Sequence, residues 1–343
     1  MHQLPRSPHS FFMDEEALLS RRQALGLGAA ALGAGLALAS GAAVAAGFPE
    51  RAVTVVVPYS PAGGVDIVTR LVTTPMAEFL GQSIVVENKP GGGTNIGMAA
   101  VARATPNGYT LLTASNTLTT NKALYSKLSF DPATDLIPVG RIGEAPLVVV
   151  VNAKSPYKSL AELITVGKAK PGALSYGTAG VGSSGHMASA LLERAGQFKG
   201  VHVPYKGGST AVTDLLGGRL DFMAINPLEV AGHVSSGSLR ALAVLNKDGS
   251  RLLPQVPTAR SLGVDVQATV WWGLVAPKGT PEAVVQALNA ALNKALTTPA
   301  VTQTLADMGA TPMGGTPAQF GSFIQAETRQ LGEVIRAADI RAD

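Results

Sequence analysis

The sequence predicts a two-lobed α/β protein with mainly parallel sheets. From Phe48 onward, short apolar runs alternate with amphipathic stretches, the pattern of strand–helix–strand units. At 343 residues the chain is too long for one average domain, so two lobes are expected. Two strand–turn–helix segments carry glycine-rich turns, Pro58-Tyr59-Ser60-Pro61-Ala62-Gly63-Gly64-Val65-Asp66 and Gly177-Thr178-Ala179-Gly180-Val181-Gly182-Ser183-Ser184-Gly185-His186. A helix start leaves backbone N–H groups free at the positive end of the helix dipole, which makes each turn a ready anion site. Two such turns, far apart in sequence, can grip the two ends of one acidic ligand.

The first 46 residues read as an export signal. Ser20-Arg21-Arg22-Gln23-Ala24-Leu25 opens an uncharged stretch rich in Ala, Gly and Leu, which ends in Ala43-Val44-Ala45-Ala46-Gly47. A positive start, an apolar middle and a small-residue exit are the parts of a secretory signal. Arg21-Arg22 after Ser20 resembles a twin-arginine signal, with Ala24 where such signals usually carry Phe. Length alone would admit a membrane anchor, but the Gly and Ala content makes a weak span and the exit favours cleavage. A lipoprotein signal needs a cysteine, and the chain has none. Met13 is an alternative start. The expectation is cleavage near Ala45 or Ala46 and a mature protein in the periplasm.

In the mature chain, residues 51–57 form a strand, and Val65, Val68, Leu71, Val72, Met76 and Phe79 then recur at helical spacing. Pro75 is expected to kink that helix or end its first part. Residues 84–87 are the next strand, followed by a loop through Gly91-Gly92-Gly93. Thr94 or Asn95 caps a helix to about Ala104, and the turn Thr105-Pro106-Asn107-Gly108 leads into a strand over 109–113. The unbroken apolar run 147–152 reads as a strand buried on both faces. The first crossing between lobes is expected after it, with a helix from Leu160. Strands at 174–176, 201–203, 220–224 and 239–245, with helices after Ser184 and Gly208, make the second lobe. Residues 271–277 return to the first lobe. Pro281 sits at the start of a helix to about Leu296, and helices near 299–308 and 317–338 close the chain. The lobes are thus 47–152 with 271–343, and 153–270.

Several chemistries are set aside by composition. Hydrophobic content of 46% and charged content of 15% supply a core and exclude disorder. The net charge of +4 is scattered, without the basic face that nucleic acid requires. Without cysteine there are no disulfides or thiolate sites, and the five histidines show no metal-ligand spacing, so no metal is expected. Gly180-Val181-Gly182-Ser183-Ser184-Gly185 matches G-x-G-x-x-G between a strand and a helix. A dinucleotide site also needs an acid roughly 20 residues on. That stretch offers His202, Pro204, Tyr205 and Lys206 instead. Ser184 and His186 lack a nucleophile elbow, and residues two apart on a helix do not face each other. Asp66 and Asp214 read as first-turn or capping acids, with a ligand contact as the lesser reading for Asp66. No enzyme and no cofactor is expected.

The residues then resemble a known family, over essentially all of the mature chain. The two glycine-rich turns carry the likeness together with Val86-Glu87-Asn88-Lys89-Pro90-Gly91-Gly92-Gly93-Thr94-Asn95-Ile96-Gly97 and Pro106-Asn107-Gly108-Tyr109-Thr110-Leu111-Leu112. His202-Val203-Pro204-Tyr205-Lys206-Gly207-Gly208 and Trp272-Gly273-Leu274-Val275-Ala276-Pro277-Lys278-Gly279-Thr280-Pro281 complete it. The chain resembles the Bug family, the substrate-binding receptors of tripartite tricarboxylate transporters. The resemblance implies a Venus-flytrap fold of type II, whose lobes close about two crossing strands on a small organic acid. It further implies a carboxylate held by backbone groups and ordered waters, with membrane permease subunits as partner and a monomeric receptor. By analogy, Tyr59, Ala62, Gly63, Gly64 and Asp66 line one wall, and Thr178, Gly180, Gly182, Ser183 and His186 the other. Ser115, Asn116, Tyr205 and Asn226 are the loop candidates. Tyr59 stands where many relatives carry Phe. The alternatives are a ligand-presenting adapter for a membrane sensor kinase and an exported α/β enzyme using Ser184 or His186.

Overall fold

The computed structural model describes His2 and residues 47–342, so the expected export signal and its cleavage point lie outside the described residues. Within the compact unit that begins at Pro49, β1 (Val53–Val57) is buried except at Thr54. The chain then turns into α1 (Gly64–Leu80), whose Val65, Val68, Val72 and Met76 face the core at helical spacing. The helix continues through Pro75 to Leu80. Just before the proline, the hydroxyls of Thr73 and Thr74 donate to Arg70 O at 3.3 and 3.1 Å.

Strands β2 (Ile84–Asn88) and β3 (Thr110–Ala114) flank β1 and run parallel to it, with α2 (Asn95–Ala102) between them. Next come α3 (Thr117–Leu124), the long β4 (Leu136–Pro146) and the apolar β5 (Val148–Asn152). The chain goes on through α4 (Leu160–Ala169), β6 (Ser175–Thr178), α5 (Ser184–Gly196) and β7 (Val201–Pro204). Helix α6 (Gly208–Leu216), β8 (Met223–Ile225), α7 (Pro227–Ser235) and β9 (Leu239–Val244) follow. The last elements are β10 (Thr269–Pro277), α8 (Glu282–Thr297), α9 (Pro299–Asp307), β11 (Thr311–Gly314) and α10 (Pro317–Ala337).

The first sheet has six strands in the order β11-β4-β10-β3-β1-β2. It is mixed, not mainly parallel: β10 pairs antiparallel with β3 and β4, and β11 antiparallel with β4. In this sheet parallel pairing joins β1 to β2 and β1 to β3, the strands of the first strand–helix–strand units, whereas β10 runs antiparallel to both β3 and β4. The second sheet, β8-β5-β9, is antiparallel, and β6 and β7 form a parallel pair bridged to it at Tyr176 and Phe222.

The run 147–152, expected in the first lobe, pairs as β5 with β8 and β9 in the second sheet. Sheet membership therefore changes at Leu147, between β4 and β5. Around that point three backbones bond to one another: Leu147 N donates to Ala268 O at 3.1 Å, Ala268 N to Leu245 O at 2.8 Å, and Leu245 N to Leu147 O at 2.7 Å. In the first core Trp271 is fully buried and meets Phe320 and Phe323 edge to face at 5.8 and 5.4 Å.

Candidate functional site

The turn between β1 and α1 is held by one acid. Ala62 has φ 60°, an uncommon conformation for a residue with a Cβ, and its N–H donates to Asp66 Oδ2 at 2.9 Å. Asp66 also accepts from Arg70 Nε at 3.1 Å and from Asn88 Nδ2 at 3.0 Å. Asn88 Nδ2 reaches on to Tyr59 O at 3.1 Å. Burial opposes ionisation of Asp66, but Arg70, the Ala62 N–H and Asn88 together hold its carboxyl below the usual range. Asp66 is thus occupied in shaping the turn, which leaves Gly63, Gly64 and Val65 facing the cleft.

The second turn, between β6 and α5, has glycine at two left-handed positions, Gly180 at φ 128° and Gly182 at φ 78°. Ser183 caps α5 by accepting from His186 N at 3.4 Å. His186 Nδ1 accepts from Gly182 N at 3.1 Å, and His202 Nε2 pairs with Thr178 Oγ1 at 2.7 Å. The two imidazoles stack on each other behind the turn. Burial pushes His186 down to about 3, helped by His202, and pushes His202 down to about 4. Both rings are neutral and serve as hydrogen-bonding braces.

One cleft joins the two turns. Of the residues expected on its walls, Tyr59, Gly63, Gly64 and Ser115 line it from one side, and Thr178, Ser183 and Asn226 from the other. Ala62, Asp66, Gly180, Gly182 and His186 lie behind the turns they shape, outside the lining. Asn116 is tied to the chain at Thr269 O by a 3.2 Å bond, and Tyr205 donates to Asp214 at 2.6 Å. Neither of these borders the cleft. The cleft is closed to about 40 Å³. Across its mouth Ser60 N donates to Lys206 O at 3.2 Å, Ser209 Oγ to Pro61 O at 3.3 Å and Thr120 Oγ1 to Gly182 O at 2.9 Å.

Sequence reasoning missed several lining residues: Ser184, Gly185, Gly208, Val270, Trp272 and above all Glu229. Glu229 stands three positions after the helix cap Asn226, whose Oδ1 accepts from Leu228 N at 3.1 Å. That spacing is the signature of a capping-box acid. Here the carboxylate turns into the cleft instead, against Gly63, Gly64 and Gly208. Burial pushes it up to about 7, against the pull of the Gly64 N–H. Tyr59, opposite, is pushed up to about 12 by its own burial and remains a phenol, donating to or accepting from Thr117 Oγ1 at 3.0 Å.

Known proteins share this fold. The family described as the tripartite tricarboxylate transporter family receptor matches residues 68–340. Protein BugT of Bordetella pertussis is 38% identical over 293 residues, covering 84% of this chain and 90% of its own. Among solved structures, MatC from Rhodopseudomonas palustris, with bound malate, has a TM-score of 0.81 at 33% identity, covering 84% of this chain and 100% of that one. An R. palustris protein with adipate has a TM-score of 0.82 at 32% identity, covering 86% and 99%. Other similar solved structures are described as a periplasmic transporter and as the periplasmic binding protein BugD, with TM-scores of 0.82 each, and the family is one of solute-binding receptors and not of enzymes. The chain belongs to the Bug receptors of the tripartite tricarboxylate transporter family.

Proposed function

We propose that the chain captures a small organic acid between its two lobes and delivers it, as a monomer, to the membrane subunits of a tripartite tricarboxylate-type transporter. The observation that carries this reading is the convergence of the α1 and α5 starts, through Gly63–Val65 and Ser183–Gly185, on one cleft. Malate and adipate in the two R. palustris relatives support it. The ligand's carboxylate is held by backbone N–H groups, with Tyr59, Ser115, Thr178, Ser183 and Asn226 as flanking hydrogen-bonding groups. Residues 1–46 direct export and are removed near Ala45 or Ala46. The lobes are 47–146 with 269–343, and 148–268. They rotate about the bonded cluster of Leu147, Leu245 and Ala268.

A thermal-shift series with mono-, di- and tricarboxylates on ligand-free protein tests the reading. An acid at 100 times its dissociation constant adds about 2.7 kcal/mol of stability. Silence from every acid counts against organic-acid capture, and unchanged uptake after deletion of the gene counts against delivery.

A further inference from the structure

Three polar atoms on the cleft wall are buried and have no hydrogen-bond partner: Asn226 Nδ2, Trp272 Nε1 and Glu229 Oε2. Asn226 is 4% exposed and Trp272 is fully buried. Buried polar groups in folded proteins are nearly always bonded, so three orphans on one small cavity mark groups reserved for a ligand. Their chemistry differs in kind. Asn226 Nδ2 and Trp272 Nε1 only donate, as do the N–H groups at the α5 start, and such groups suit a carboxylate; Asn226 Nδ2 itself lies beside the α1 start, 3.1 Å from where a Cβ on Gly64 would sit. Ionised Glu229 only accepts, and it carries a negative charge.

The position of Glu229 sharpens this difference. Its carboxylate lies against the start of α1 and the start of α6. A Cβ on Gly64 would sit 3.1 Å from Oε1, and one on Gly208 would overlap the carboxylate. The glycine turn of α1, one of the two anion sites of the cleft, is thus already filled by an acid of the chain itself. A ligand carboxylate brought to that end would face the buried Glu229 at low dielectric, where like charges repel strongly. A capping acid at peace with its helix would have both oxygens bonded, whereas Oε2 has no partner.

We infer that Glu229 sets the ligand class, and that the cleft takes a monocarboxylate bearing a cationic nitrogen, its carboxylate at the α5 turn and its nitrogen on Glu229. This rests on the reading of the cleft as the ligand site. Diacids of the adipate and malate type would be disfavoured by the same carboxylate that recruits the ammonium, because they must first protonate it. Proton linkage carries the same signature. A cation beside Glu229, raised by burial to about 7, lowers that value and releases a proton near neutral pH, whereas a second carboxylate raises it and takes one up. Tyr59, the other titratable side chain on that wall, stays protonated throughout.

Calorimetry on ligand-free protein decides the matter, using chain-matched pairs: β-alanine against succinate, 4-aminobutyrate against glutarate, and 6-aminohexanoate against adipate. The expected result is at least tenfold tighter binding of one amino acid than of its matched diacid, with proton release at pH 7 read from two buffers of different ionisation heat. Glu229→Gln should lower that affinity at least tenfold and narrow the gap to the diacid. A wild-type protein that binds a diacid as tightly as the matched amino acid, or takes up protons on binding, overturns the inference while leaving organic-acid capture intact. Binding of neither series, with no heat from any other carboxylate, overturns both. The wild-type comparison stands by itself if the variant does not fold.

Discussion

His186 and His202 stack with ring centroids 3.9 Å apart and planes 12° apart, and each ring braces the β6–α5 turn through a different nitrogen contact. Their neutrality is a requirement of that brace, because a protonated His186 Nδ1 could no longer accept from Gly182 N.

This pairing makes stability acid-sensitive. An unfolded histidine takes a proton near pH 6.5, while these rings hold out to about 3 and about 4. Between those values the unfolded state binds more protons, so stability falls as pH falls, by roughly 1.4 kcal/mol per pH unit per ring. Glu229 opposes this: its raised value means that stability is lost as pH rises from 4.5 toward 7. Glu193 and Glu327, also raised by burial, oppose it likewise, so the ring's share is read by difference: between pH 6.5 and 4.5 the wild type should lose more stability, or gain less, than His202→Phe. Parallel profiles for the two proteins would contradict the assignment.

Replacing the buried acid separates its own contribution. Glu229→Gln removes a carboxyl that ionises at a cost when folded, so the variant should gain stability at pH 8, by roughly 3 kcal/mol at most. The gain should vanish near pH 4. Urea titrations at the two pH values measure it, and a loss at pH 8 larger than at pH 4 would reverse the assigned sign.

Asp66 holds three donors at once, the Ala62 N–H, Arg70 and Asn88. Asp66→Ala leaves them without their acceptor and should cost about 1–3 kcal/mol of stability. Because the Gly63-Gly64 turn loses its support, ligand affinity should fall even though the carboxylate itself does not border the cleft. Asp66→Asn should restore part of both.

Gly182 has φ 78°, and a Cβ there would lie 2.6 Å from Thr120 Oγ1 and 2.6 Å from Leu124 Cδ1. Gly182→Ala should therefore lose on the order of 1–3 kcal/mol from backbone strain and crowding. The crowding acts on residues across the mouth, so a closed, ligand-bound state should suffer more than an open one. A ligand-induced thermal shift as large as that of wild type would argue against this.

Much of the fold was legible because it is local. The runs 51–57, 239–245 and 271–277 and the glycine turns announce their elements by composition and spacing. Helix α3 and strand β4 escaped notice: β4 carries Pro138, Gly140 and Gly143, which read as breakers, and its burial comes from neighbours distant in sequence. The run 147–152 was expected with the first lobe, and its pairing with β8 and β9 was not legible, because four consecutive valines look alike in either core and pairing partners are a tertiary choice. In the site, the residues of the turns were found, but their division into those that face the cleft and those that shape it was not. Backbone path decides that division, as with Asp66 and His186. Glu229 was hidden because its spacing from Asn226 satisfies a local rule that the folded chain declines to use.

The bonded cluster at Leu147, Leu245 and Ala268 has a mechanical consequence. Each of the three amides finds its acceptor within the trio, so the connection between the sheets behaves as a closed circuit of peptide groups. Turning one sheet against the other asks little of that circuit. The work of opening is concentrated at the rim, where Ser60, Ser209 and Thr120 must release the backbone carbonyls they hold. A receptor wired in this way sets its gate at the lip, and its axle stays the same whatever it carries.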